Sequence, residues 1–153
     1  MLKRIFLACL VGGVCLPAFS QFRVEVSGVD LTQIPITVVT FRGDESAPQK
    51  IAGIVQADLE RSGQFRPVDA GGAVLDETSR PDLSAWRQKG ADGFVTGSVT
   101  RLADGRFDVR MRLWDVVRGQ DLGGQSFVVV AGDLRLVAHR LAELGDAFFA
   151  ERI

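Results

Sequence analysis

Apolar and charged residues alternate along the stretch Phe107–Leu113, which reads FDVRMRL. A period of two places the apolar side chains on one face of a β-strand and the charged ones on the other. Two more β-rich runs flank it, at 94–102 and 125–130, and turn-forming glycines lie on both sides: Gly105, Gly119, Gly123 and Gly124. The pattern predicts a three-stranded antiparallel meander with one solvent-exposed face and one apolar face that another layer must cover.

The segments around the meander predict that layer. Apolar residues at helical spacing predict one helix between Pro48 and Gly63, and another that begins after an N-cap at Asp133. A β-branched run at 36–41 predicts a buried strand, and 65–68 predicts an edge strand because it contains a proline. We therefore expect an α/β fold, with helices packed on one mixed, largely antiparallel sheet and a C-terminal β-meander followed by a helix.

The region between the first helix and the meander is expected to be irregular. Residues 69–81 have the glycine, proline and small polar content of a surface loop. A short helix follows after Pro81 and Asp82 and carries Trp86, which we interpret as a packing aromatic.

The first residues have the composition of a secretory signal. Two basic residues precede an uncharged run of roughly a dozen residues, well short of the roughly 20 that span a bilayer. Ala18 and Ser20 are small residues at the positions that a signal peptidase recognises, which predicts cleavage between Ser20 and Gln21. We expect residues 1–20 to be removed and no membrane insertion afterwards.

The composition of the chain without residues 1–20 excludes several kinds of site and partner. Both cysteines, Cys9 and Cys15, lie within the signal, so no disulfide or thiolate site is expected beyond it. The remaining net charge is about −3, without a basic cluster, which argues against nucleic acid as a partner. The length suits one ordinary domain.

No pattern typical of catalysis is present in the sequence. The single histidine, His139, is expected to face solvent, away from the apolar stripe of the last helix and from any carboxylate cluster. No G-x-S-x-G motif occurs, and the carboxylates are scattered or belong to turns. We therefore expect no enzyme activity, no metal site and no cofactor.

The segment 22–26, FRVEV, alternates in the manner of a short strand at a chain terminus. It is either an edge strand of the domain's own sheet or a detachable strand that pairs with the sheet edge of another protein. The pattern alone favours the first hypothesis.

The tryptophans suggest a second functional hypothesis. Trp114 interrupts the alternation by placing an aromatic ring beside Arg110 and Arg112 on the charged face. Cation–π packing by those arginines is the simple explanation. The alternative is a stand-alone secreted domain in which Trp86 or Trp114 stacks on a small molecule or glycan at the sheet face.

Several short motifs, in their order along the chain, resemble one known family. They are Gln21–Asp30, Asp58-Leu59, Ser62-Gly63-x-Phe65, Gly90-Ala91-Asp92, Val95-x-Gly97-x-Val99, Leu113-x-Asp115 and Gln125-Ser126. Together with the signal they resemble the amino-terminal domain of TolB, a periplasmic component of the Tol-Pal system. The resemblance extends to about Leu141.

This resemblance implies a periplasmic binding module of a Gram-negative bacterium without catalytic activity. It implies that residues 21–31 form a TolA box, which pairs with the carboxy-terminal domain of TolA, and that 32–153 form the α/β domain. The implied contact residues are Phe22, Arg23, Val24, Glu25, Val26, Ser27, Gly28, Val29 and Asp30. The implied role is in outer-membrane integrity and outer-membrane invagination during cell division.

The resemblance also implies a departure from the family plan. TolB proteins continue into a six-bladed β-propeller that binds Pal, whereas this sequence ends at Ile153 without propeller repeats. We expect a domain truncated before the propeller, for which Pal binding is doubtful. A truncated copy without function is the remaining alternative.

Overall fold

The computed structural model describes residues 33–43 and 46–150. Within them, chain order gives the strands and helices β1 (Ile34–Val38), β2 (Thr40–Phe41), α1 (Ala47–Arg61), β3 (Phe65–Pro67), β4 (Val74–Leu75), α2 (Leu83–Gln88), β5 (Gly93–Arg101), β6 (Phe107–Asp115), β7 (Gln120–Val129) and α3 (Leu134–Ala150). None of the described helices is long and apolar enough to cross a membrane.

The seven described strands form two sheets, the larger with the order β3-β1-β5-β6-β7. β1 runs parallel to both β3 and β5, whereas β5, β6 and β7 form the predicted antiparallel meander. The pairing of β5 with β6 is continuous from Gly93 opposite Asp115 to Arg101 opposite Phe107. The expected α/β class, with a mixed sheet and a meander followed by a helix, is confirmed.

The main core lies between the sheet and the pair α1 and α3. Val109, Met111 and Leu113 of β6 are almost completely buried there, as their alternation with charged residues predicts. The helices cover them with side chains that recur at helical spacing: Ile51, Val55 and Leu59 of α1, and Ala138, Leu141 and Phe149 of α3. Their apolar stripes are therefore what hold both helices on the sheet.

A smaller core lies on the opposite face, at one end of the sheet. It consists of Val39, Trp86, Ala91, Phe94, Trp114 and Val116, and α2 contributes through Trp86. The interpretation of Trp86 as a packing aromatic is confirmed, since its ring centroid lies 4.6 Å from that of Phe94.

The second turn of the meander is placed differently from the prediction. β7 already begins at Gln120, so Gly123 and Gly124 lie inside the strand and only Gly119 belongs to the turn. The register shifts opposite Leu113 and Trp114, as in a β-bulge. At Gly124 a Cβ atom would lie 2.5 Å from the carbonyl oxygen of Met111, so this glycine permits close approach of two strands.

Three other expectations need correction. The run 36–41 is divided between β1 and β2, because Val39 turns into the smaller core. The predicted loop 69–81 contains β4, which pairs in parallel with β2. Helical structure starts before Asp133, in a 3-10 turn at Ala131–Asp133 that leads directly into α3.

Two glycines allow a matched test of packing. Gly97→Ala is expected to lower the free energy of unfolding by about 1–3 kcal/mol, because the new Cβ would lie 2.5 Å from the carbonyl oxygen of Arg110 and 2.8 Å from the ring of Phe41. Gly53→Ala in α1 meets no atom within 4 Å and is expected to raise it by roughly 0.5–1 kcal/mol. Urea unfolding of both variants measures the difference, and equal effects would contradict this packing.

Candidate functional site

The predicted contact residues Phe22–Asp30 lie outside the described residues, as do Ala18, Ser20 and Gln21 of the predicted cleavage site. The structure does describe where the chain that follows them is fixed. Gln33 donates a side-chain hydrogen bond to the carbonyl oxygen of Gly63 at 3.1 Å, and the Ile34 amide donates to that of Gln64 at 2.8 Å.

The sequence after α1 produces this attachment. Gly63 has a φ of +78°, a conformation that glycine adopts without steric cost, and it turns the chain from the end of α1 into β3. Ile34 and Phe65 are partners in the parallel pair of β1 and β3. The described chain therefore begins beside the loop that connects α1 with β3.

The last turn of α3 reaches the same end of the sheet. The ring of Phe149 packs edge-on against that of Phe65, with centroids 5.6 Å apart. Gly93, the first residue of β5, lies under Phe149 so closely that a Cβ there would be 2.8 Å from the ring. We call this region, formed by Gln33, Gly63, Phe65, Gly93 and Phe149, the anchor end.

Ionisable residues between α1 and α3 lie along one groove. Contrary to the sequence-based expectation, His139 faces α1 and bonds to the carboxylate of Asp58, which also accepts a hydrogen bond of 2.5 Å from Arg61. The side chain is still 42% exposed, so only the expected lack of a carboxylate partner was wrong. A helical wheel shows which side of α3 carries His139 but not what packs there. Burial is the main cause that raises the pKa of Asp146, and the carboxylates of Glu143 and Asp58 add to it.

These groups do not form a metal site. Among the described residues, no three carboxylates, histidines or cysteines are placed to share a cation. The pair of His139 and Asp58 joins α1 to α3 and acts as a structural contact.

The tryptophans do not form a ligand platform. Trp86 and Trp114 are only 7% and 6% exposed, and both belong to the smaller core. The indole N–H of Trp114 donates to Thr96 at 3.4 Å. The hypothesis that a tryptophan stacks on a ligand is therefore wrong. The cation–π explanation for Trp114 is also wrong, because the two arginines are paired with carboxylates, Arg110 with Asp108 and Arg112 with Asp121.

A loop of the chain covers part of the polar sheet face. Glu77 accepts a hydrogen bond of 2.5 Å from Ser98 of β5 and lies 3.8 Å from Arg110. Asp76 accepts bonds from the backbone and hydroxyl groups of Thr78 and Ser79, which lower its pKa to about 2. A cavity of about 440 Å³ remains between this loop and β5, where Arg42 pairs with Asp76.

Comparison with known proteins identifies the family. The family model described as the TolB amino-terminal domain matches residues 22–122. The chain belongs to the TolB amino-terminal domain family. Two relatives, both named Tol-Pal system protein TolB, are 72% identical in Albidiferax ferrireducens and 66% identical in Polaromonas sp.. Their matches cover 94% and 92% of this chain.

A solved TolB structure supports the same fold. TolB from Acinetobacter baumannii superposes with a TM-score of 0.64 at 28% identity and covers 77% of this chain. The match spans 29% of that structure's chain, and this chain spans about a third of the length of the two relatives, 34% and 33%.

Sequence patterns alone missed Phe149 and Gly93 of the anchor end. Helical spacing from Leu141 leads to Phe148 on the apolar stripe of α3, but Phe149 is the fully buried ring and Phe148 is half-buried. Gly93 was not singled out either. Its position at the start of β5 is the one available signal, since glycine in a strand often marks a close approach.

The hydrogen bonds of Asp76 predict a pH-dependent contribution to stability. Because folding lowers its pKa from 3.8 to about 2, the stabilisation is fully present above the unfolded-state pKa and is lost as the pH falls toward about 2. Asp76→Asn is expected to lower the free energy of unfolding at pH 7 by on the order of 1 kcal/mol. Its difference from the unmodified chain should shrink below about pH 4.

The matched control is Asp69→Asn. Asp69 accepts a single hydrogen bond, from the Gly71 amide at 2.9 Å, which an asparagine oxygen can retain. Urea titrations over a pH series measure how far each variant differs from the unmodified chain in the free energy of unfolding. An Asp76→Asn effect that stays constant down to pH 2 would contradict the assignment.

Proposed function

We propose that this chain is a periplasmic protein-interaction module of the Tol-Pal system, which docks the carboxy-terminal domain of TolA through residues 21–31. The observation that carries the proposal is the extent of the family match. It begins at residue 22, the second residue after the predicted signal cleavage, so the proposed docking segment lies almost entirely within the matched domain.

The chemistry of the segment suits the addition of a strand to a foreign sheet. Its alternation puts Phe22, Val24 and Val26 on one side of an extended chain, where they would fill pockets of the partner. Its backbone N–H and C=O groups would continue the partner's hydrogen-bond ladder. Main-chain bonds would supply affinity and the alternate side chains specificity.

The anchor end supports this mode of presentation. The first described residues, Gln33 and Ile34, are bonded to Gly63 and Gln64, and β1 is an inner strand held on both sides. A segment that precedes such a strand is tied to the rigid sheet within a few residues. A pull on residues 21–31 would therefore be transmitted to the sheet through β1.

The proposal includes the compartment and the cellular role. Export through residues 1–20, with cleavage between Ser20 and Gln21, would place the module in the periplasm, where TolA can reach it. Through TolA it would contribute to outer-membrane integrity and to invagination during cell division. Binding to Pal is not part of the proposal, since the resemblance assigns that contact to the propeller.

Calorimetric titration with the carboxy-terminal domain of TolA tests the docking segment. We expect Val24→Asp, in the chain without residues 1–20, to weaken binding by about tenfold or more. Burial of a valine contributes roughly 1.5–3 kcal/mol, and 1.4 kcal/mol corresponds to a factor of ten.

Val74→Asp is the control, because Val74 is an exposed valine, 48% accessible, in β4. It is expected to bind like the unmodified chain, and a chain that starts at Thr32 is expected not to bind. The proposed docking segment would be wrong if binding survived the removal of residues 21–31. It would also be wrong if Val24→Asp and Val74→Asp weakened binding equally.

A further inference from the structure

The two outer strands of the large sheet differ in how they are protected. β3 has only three residues and ends at Pro67, two features that hinder pairing with another chain. β7 has ten residues and pairs with β6 alone among the described strands. From residue 122 to its end at Val129, and on to Val130 just beyond it, β7 contains neither a charged residue nor a proline.

The far half of β7 also exposes apolar surface. Val128 lies on the polar face of the sheet and is 48% exposed, and Val130 just beyond the strand is 53% exposed. Phe127 and Val129 lie on the helix face, where they are half-buried beside the main core. A long, uncharged edge with valines on both faces is the kind that pairs with another strand.

We propose that this edge pairs antiparallel with β7 of a second copy of the chain, about a two-fold axis at Val128. In that register Val128 faces its own copy on one face of the joined sheet. On the other face Phe127 of each copy faces Val129 of the other. Every directly opposed pair from Ser126 to Val130 is then uncharged, and the central ones are apolar.

The lack of unpaired charge near the axis, among the described residues, favours a second copy as the occupant. A two-fold axis brings identical residues together, so a charge near it would face its own sign. Asp108 of β6 lies directly opposite Val128 but is paired with Arg110. The nearest charge on β7 itself is Asp121, which is paired with Arg112. The proposal is independent of TolA docking, which involves residues 21–31.

Sedimentation equilibrium of the chain without residues 1–20, over a wide range of concentrations, tests the proposal. We expect a monomer–dimer equilibrium that Val128→Lys abolishes, because two ammonium groups would meet on the axis. Val74→Lys is the matched control, since Val74 has the same exposure of 48%, and it should dimerise like the unmodified chain. Circular dichroism spectra verify that both variants fold.

A cross-link locates the axis. Directly opposed residues of antiparallel strands have Cβ atoms about 4.5–5.5 Å apart, close to the spacing of a disulfide. Both natural cysteines lie within residues 1–20, so the introduced thiol is the only one present. Val128→Cys is expected to form a covalent dimer under mild oxidation, and Val74→Cys is expected to remain monomeric.

Four results would overturn the proposal. They are a monomer at every concentration, a dimer that persists in Val128→Lys, equal cross-linking of the two cysteine variants, and a dimer that is lost when residues 21–31 are removed. The last result would assign the β7 edge to the amino-terminal segment of another copy instead of to its β7.

Discussion

Burial of the apolar side of β6 under α1 and α3 is the interaction on which the rest of this structure depends. Val109, Met111 and Leu113 are at most 1% exposed, and they lie in the middle of the meander. A shift of β6 by one residue would turn this row to the polar face and bring arginines into the core. The register of the sheet and the positions of both helices are therefore fixed together.

This arrangement determines where the described part of the chain begins and ends, residues 33 and 150. Because α3 crosses the sheet from the end of β7 toward the start of β5, its last turn meets Phe65 and Gly93. The start of β1 lies at the same end through its bonds to Gly63 and Gln64. The described chain thus starts beside the carboxyl end of α3.

The side chains on the polar face of the sheet are already engaged within the domain, so they are poorly suited to bind a partner. The arginines of this face are paired with carboxylates, the loop with Asp76 and Glu77 lies across it, and its tryptophan belongs to the smaller core. What the described domain still offers is backbone at a sheet edge. Both proposals therefore rest on strand pairing, one through the terminal segment and the other through β7.

Local periodicity in the sequence determined the meander, α1, α3 and the α/β class. A strand or helix with one buried face carries apolar residues at a fixed period along its own sequence. This period can be recognised without knowing which surface covers that face. The resemblance of short motifs was sufficient to indicate the TolB family, which the comparisons confirm.

Only the tertiary structure decided which surfaces meet. His139 and Asp58 lie 81 positions apart in the chain but bond to each other in the fold. At the anchor end, the buried ring that packs on Phe65 is that of Phe149 and not that of Phe148. β4 pairs with β2 although its own two residues carry no strand pattern. Such contacts join segments far apart in sequence, and local periodicity holds no information about the surface on the other side.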